Sequence, residues 1–119
     1  MIFHSGKKLT IHLTERGDAD RSEIEKMYGK SERACVAQLN RMLKLLGDKG
    51  ALQSPEQFRD EGDGVFAVKA RCGLRAYGWF EPGGRFVVGR MVRKKRDKMN
   101  PGDRDAVIEE RKQWQRGKT

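Results

Sequence analysis

The sequence predicts an α+β fold: an N-terminal strand, a helical hairpin, an antiparallel sheet of three further strands and a C-terminal helix. Three observations lead there. Between Val65 and Lys98, three strand-like runs follow one another, with cationic side chains at alternating positions. Ahead of them, Cys35, Leu39, Met42 and Leu46 recur at helical spacing, with Val36 and Leu43 beside them. After them, Val107 and Trp114 can share one face of a last helix. A chain of 119 residues suits one domain, spanning 1–119. One short sheet with helices on one side is the economical arrangement.

Each element has a local cause. Leu9-Thr10-Ile11-His12-Leu13 alternates apolar and polar, which predicts a strand over Lys8–Thr14 with His12 on the outer face. Gly17–Asp20 ends it. Ser22 with Glu25 forms a capping box for the first helix, and Asp20 is an equally good cap. After Gly29-Lys30-Ser31, the second helix runs from Ser31 to Leu46, and Gly47 is its expected left-handed stop. Asp48–Asp63 reads as a connector, with a short capped turn at Ser54-Pro55 and Phe58 tucked into the core. Asp60–Gly64 is an acidic turn leading into the first of the three runs.

Within those runs, Cys72-Gly73 marks a tight connection, and Glu81-Pro82-Gly83-Gly84 predicts a hairpin turn with Gly at positive φ. Glu81 suits that turn better than it suits catalysis. Met99–Asp103 is a loop, the last helix starts near Asp103, and 110–119 is expected to fray.

Charge narrows the class of partner. Lysine and arginine outnumber acids, for a formal net charge of +9, and charged residues make up 36% of the chain. Such a balance points to nucleic acid, the ribosome or an acidic protein. The two cysteines, Cys35 and Cys72, lack a neighbouring Cys or His at metal-binding spacing, so reduced thiols in a cytoplasmic protein are expected. The opening MIFHSGKK lacks an apolar core of signal-peptide length, so no signal peptide is expected, and no stretch has the length to cross a membrane.

Alternation sorts the central runs into two faces. Phe66, Val68, Ala70, Leu74, Ala76, Gly78 and Phe80 form an apolar face. Ala67, Lys69, Arg71, Arg75, Tyr77 and Trp79 form the other. The second face is expected to be an open cationic and aromatic platform, extended by Arg93-Lys94-Lys95-Arg96. Such a surface suits a polyanion with flat bases.

Some of these residues resemble a known family. Val65–Arg71 followed by Gly73-Leu74-Arg75-Ala76-Tyr77 resembles a segment of the RelE/ParE toxin superfamily. Met91–Pro101, with its Lys94-Lys95 pair, is similar to a signature of the HigB-like branch. Two departures stand out: the Lys95-to-Pro101 spacing is one residue longer than the HigB-like pattern, and no histidine follows His12. The resemblance implies a toxin of a type II toxin–antitoxin system. It further implies an endoribonuclease that cuts mRNA on the ribosome, uses no metal or other cofactor, and is blocked by a cognate antitoxin. The ParE branch of the same fold inhibits gyrase without catalysis, and a basic RNA- or ribosome-binding module is a third possibility.

Metal-free RNA cleavage must deprotonate a 2′-hydroxyl, stabilise a pentavalent phosphate and protonate the leaving oxygen. Fixed cations serve the second need, on the order of 3 kcal/mol for one donor. The catalytic candidates are Lys69, Arg71, Arg75 and Lys95. Arg75 is the expected phosphate clamp, because its fork matches phosphate oxygens. Lys69 is the expected base or transition-state cation. Tyr77 and Trp79 are candidates for base stacking, and Arg93, Lys94, Arg96 and Lys98 for RNA contact. Taken alone, alternating cations on a strand are usually the solvated face of a half-buried sheet.

Overall fold

The structure, a computed structural model, describes residues 1–27, 30–52, 57–93 and 101–117. It is α+β. The elements are β1 (Ile2–Ser5), β2 (Thr10–Leu13), α1 (Glu15–Met27), α2 (Lys30–Lys49), β3 (Phe58–Gly62), β4 (Val65–Lys69), β5 (Leu74–Glu81), β6 (Arg85–Arg93) and α3 (Pro101–Gln115). The six strands form one sheet in the order β1-β2-β6-β5-β4-β3. All neighbours are antiparallel except β2 and β6, which run parallel with Thr10 opposite Arg85 and Leu13 opposite Val88.

Two strands exceed the expected four. β1 folds back on β2, and the Met1 amino group donates to the Leu13 carbonyl at 2.8 Å. β3 lies where a connector was expected. Its sequence, FRDEG, has no apolar alternation because it is an edge strand with one paired side. What specifies it is the turn: Asp63 and Gly64 both take positive φ, +55° and +76°, the geometry of a tight hairpin. Phe58 does enter the core, stacked on Phe66 at 5.2 Å between ring centres.

The first helix starts earlier than Ser22. Thr14 is its cap: the Gly17 amide donates to Thr14 Oγ1 at 3.0 Å. Gly17 sits in the first turn rather than breaking the chain, and a Cβ there would come within 2.6 Å of the Val88 carbonyl oxygen. Asp20 has a different task from capping. It is buried and accepts from the Met91 amide at 3.1 Å, just where β6 runs beyond the end of β2. Arg16 and Arg90 pair with the same carboxylate at 3.0 and 3.2 Å.

Cys35, Val36, Leu39, Met42, Leu43 and Leu46 of α2 are all buried against the sheet, as their spacing predicts. The helix does not stop at Gly47. Gly47 lies inside it, and its carbonyl accepts from the Lys8 and Leu9 amides at 2.9 and 2.8 Å. The missing side chain lets the β1–β2 turn approach: a Cβ at Gly6 would clash with the Gly47 backbone. Gly50, at φ +82°, provides the left-handed stop, and its amide donates to the Leu46 carbonyl at 2.7 Å.

Helices cover both faces of the sheet, not one. The α1–α2 hairpin packs on the face of Ile11, Leu13, Val68, Leu74, Ala76, Phe86 and Val88. α3 packs through Val107, Ile108 and Trp114 on the face of Val65, Ala67, Tyr77, Trp79 and Val87. α3 runs on to Gln115, so helix replaces most of the expected frayed tail. Arg104 and Arg111 tie it to the β3–β4 turn by donating to the Glu61 and Asp63 carbonyls at 3.1 and 2.8 Å.

The cysteines are joined rather than free. Cys35 and Cys72 form a disulfide, with Cα atoms 6.1 Å apart. A separation of 37 residues carries no local signal; only the docking of α2 on the sheet brings the two sulfurs together. Among the described residues, no helix is long and apolar enough to cross a membrane.

Candidate nucleic-acid interface

The expected partition of side chains between the two faces is present. Lys69 pairs directly with Arg75 across β4 and β5, and Ala67 with Tyr77. Tyr77 and Trp79 follow Arg75 on the same side of β5, which alternation dictates.

The face is closed, however, not open. Arg75 is 3% exposed, Tyr77 0% and Trp79 1%. β5 is a central strand with apolar or aromatic residues on both sides, so both sides need cover. α3 supplies it on this side. Trp79 Nε1 donates to Glu81 Oε1 at 2.8 Å, and Gln115 Nε2 donates to the same oxygen at 3.0 Å. Glu81 therefore ends β5 and fastens the last turn of α3 over the indole. Neither ring presents a face to a base in this conformation. Arg75 lies too deep to act as an exposed phosphate clamp.

Electrostatics around Tyr77 describe the buried end of this face. Burial pushes its hydroxyl above the usual phenol range. The neighbouring Arg75 guanidinium opposes that shift, while Asp103 and Glu61 reinforce it. The cation expected to meet RNA thus lies in a mixed cluster with two carboxylates under the start of α3.

Other candidate cations stay accessible at one end of the sheet. Arg71 is exposed in the β4–β5 turn, Lys69 is half-buried at the end of β4, and Arg93 is exposed at the end of β6, opposite Leu74. Lys94, Lys95, Arg96 and Lys98 lie outside the described residues. Among the described residues, no three His, Cys, Asp or Glu side chains gather as a metal site requires.

Sequence reasoning missed the groups around Glu110. This carboxyl lies on α3 near Arg16, Asp20, Arg90 and Glu15, and burial raises its pKa. A Cβ at Gly89 would come within 3.3 Å of the Glu110 Cβ, so the glycine lets α3 approach β6. The available signal was the pair of acids in α1, Glu15 and Asp20, flanking Arg16. His12 was expected at the surface. It lies half-buried under α3 instead, with its ring edge-on to Trp114 at 5.4 Å.

A solved chain from the chromosomal ParDE TA system of P. aeruginosa superposes on this architecture with a TM-score of 0.57 and 18% identity. The match covers 74% of this chain and 98% of that one. The two chains share one fold. A solution structure of the conserved hypothetical protein HP0894 from Helicobacter pylori matches at TM-score 0.47 and 13% identity, over 71% of this chain and 93% of that one. No family model and no curated protein matches. Within this fold, the sheet, the helical hairpin and the C-terminal helix frame the cationic end described above.

Proposed function

We propose that this protein is the toxin of a type II toxin–antitoxin pair. In this reading a cognate antitoxin protein holds it, and once released it cuts messenger RNA on the cytoplasmic ribosome in the manner of the HigB-like branch. The fold shared with a chain of a ParDE TA system supports the first part. The RNA part rests on one observation: Lys69, Arg71 and Arg93 lie at a single end of the sheet, Arg93 on the opposite face from Lys69, and in sequence Arg93 is followed by Lys94, Lys95, Arg96 and Lys98.

The chemistry follows from what is accessible. Arg71 offers its guanidinium fork to the scissile phosphate, the task first expected of Arg75. Lys69 stabilises the charge that develops on the phosphorane or takes the 2′-hydroxyl proton. Arg75 supports that face from beneath. The basic run binds the leaving strand or ribosomal RNA and supplies sequence-independent attraction.

A second reading is a noncatalytic toxin of the same fold that acts on gyrase. The burial of Arg75, Tyr77 and Trp79 is compatible with it, since neither Tyr77 nor Trp79 is free to stack on a base. Induced expression followed by mapping of mRNA 5′ ends separates the two. Cuts in phase with the reading frame, lost in a Lys69→Ala/Arg71→Ala double variant, are the expected result. Growth arrest with intact mRNA and inhibited supercoiling would replace this reading with the second. Ribosome association without growth arrest would leave a basic RNA-binding module.

A further inference from the structure

The disulfide joins α2 to the β4–β5 turn. Cys35 lies in the second turn of α2 and is 4% exposed, whereas Cys72 sits half-buried in the β4–β5 turn. Their 6.1 Å Cα separation is in the ordinary range for a disulfide. The turn does not need the bond for its own shape. The Ala70 amide donates to the Leu74 carbonyl at 2.9 Å, the Gly73 amide to the Ala70 carbonyl at 3.0 Å, and Gly73 takes φ +96°.

The two ends of α2 are fastened differently. Its C-terminal end is held by backbone hydrogen bonds from Lys8 and Leu9 to the Gly47 carbonyl. Its N-terminal half borders an open groove of about 570 Å³ between α1 and α2, lined by Glu25, Lys26, Arg33, Val36, Ala37 and Asn40.

We propose that the Cys35–Cys72 disulfide is a reversible redox latch. Closed, it fixes the N-terminal half of α2 to the β4–β5 turn. Opened by a dithiol, it frees both while the sheet stays folded. In the cytoplasm a disulfide is characteristically opened and closed by exchange rather than left permanent. The steps balance. A thiolate of the dithiol attacks Cys72 Sγ, the more accessible sulfur, and Cys35 leaves as a thiolate. The second thiol of the reductant then closes onto the first, releasing Cys72. The protein gains two electrons and two protons, and the reductant becomes a disulfide. A disulfide oxidant such as oxidised glutathione reverses the sequence.

The latch reaches the candidate interface because the turn it holds carries Arg71 and links Lys69 to Arg75. That consequence rests on the RNA reading above, and the reversibility of the latch rests on the cytoplasmic location in the proposed function.

The test uses the full chain, wild type and Cys72→Ser, in buffers poised with oxidised glutathione or dithiothreitol. Thiol titration should find no free thiol in the first and two in the second. Hydrogen exchange across 33–40 should rise about tenfold or more on reduction, while the amides of Ala70 and Gly73, held by the turn's own hydrogen bonds, keep their protection. The amides of Leu9 and Thr10 should not change. Cys72→Ser should match reduced wild type in either buffer. Two free thiols under oxidising conditions would overturn the proposal. So would unchanged exchange across 33–40, or a rise spread over the whole sheet, which would mark a plain structural cross-link. If single-stranded RNA binding is absent in both redox states, the RNA reading falls and the latch stands.

Discussion

Two side chains carry consequences out of proportion to their size. Asp20 holds a buried negative charge against Arg16, Arg90 and the Met91 amide. Removing the carboxylate strands a partly buried guanidinium and a backbone donor. Asp20→Ala should therefore lower unfolding free energy in urea by about 3 kcal/mol. His12 sets a pH dependence. Burial first, then the N-terminal ammonium and Arg85, hold its pKa below the ordinary 6.5. The unfolded chain thus takes the proton first, and the folded state loses stability as pH falls from 6.5 through the lowered folded value. Above 6.5 this contribution is complete. A His12→Gln variant, melted in parallel between pH 7 and pH 5, should lose less stability on acidification than wild type.

The helices and strands differ in how openly the sequence declares them. The α2 stripe and the Pro82–Gly84 turn were legible because periodicity and turn chemistry act locally, and the division of Lys69, Arg75, Tyr77 and Trp79 from Val68, Leu74 and Ala76 was legible for the same reason. β3 was hidden because Arg59, Asp60 and Glu61 look like loop, although Asp63-Gly64 is a strong hairpin signal. Gly47 misled because a glycine needed for close approach looks the same in sequence as one needed for positive φ. The greater miss concerns α3. Val107 and Trp114 were placed on one face, but nothing local says which side of the sheet a terminal helix will cover. That choice turned an expected open platform into a second core and moved the accessible cations to Arg71 and the strand ends. Val107 is fully buried in that core. Val107→Asp should loosen α3 and wet both tryptophans, Trp79 and Trp114, seen as a red shift of fluorescence emission with far-UV signal largely kept.

Over the whole molecule, a net charge of +9 makes salt the simplest probe of what the surface is for. If the cationic end of the sheet grips single-stranded RNA, the logarithm of affinity should fall linearly with the logarithm of salt, by about 0.7 per phosphate neutralised. Arg71→Ala should reduce that slope by roughly one such increment. Fluorescence anisotropy with a labelled oligonucleotide measures both. A flat dependence would mean that this end of the sheet does not hold RNA through its charge.

The parallel pairing of β2 with β6 imposes an order on manufacture. Thr10 through Leu13 leave the ribosome long before their neighbours at Arg85 through Val88. Until those emerge, the N-terminal hairpin has no seam to join, and the nascent chain is two unconnected β fragments. A prematurely terminated product lacking β6 would therefore be recognised as waste by proteases rather than persist as a smaller domain.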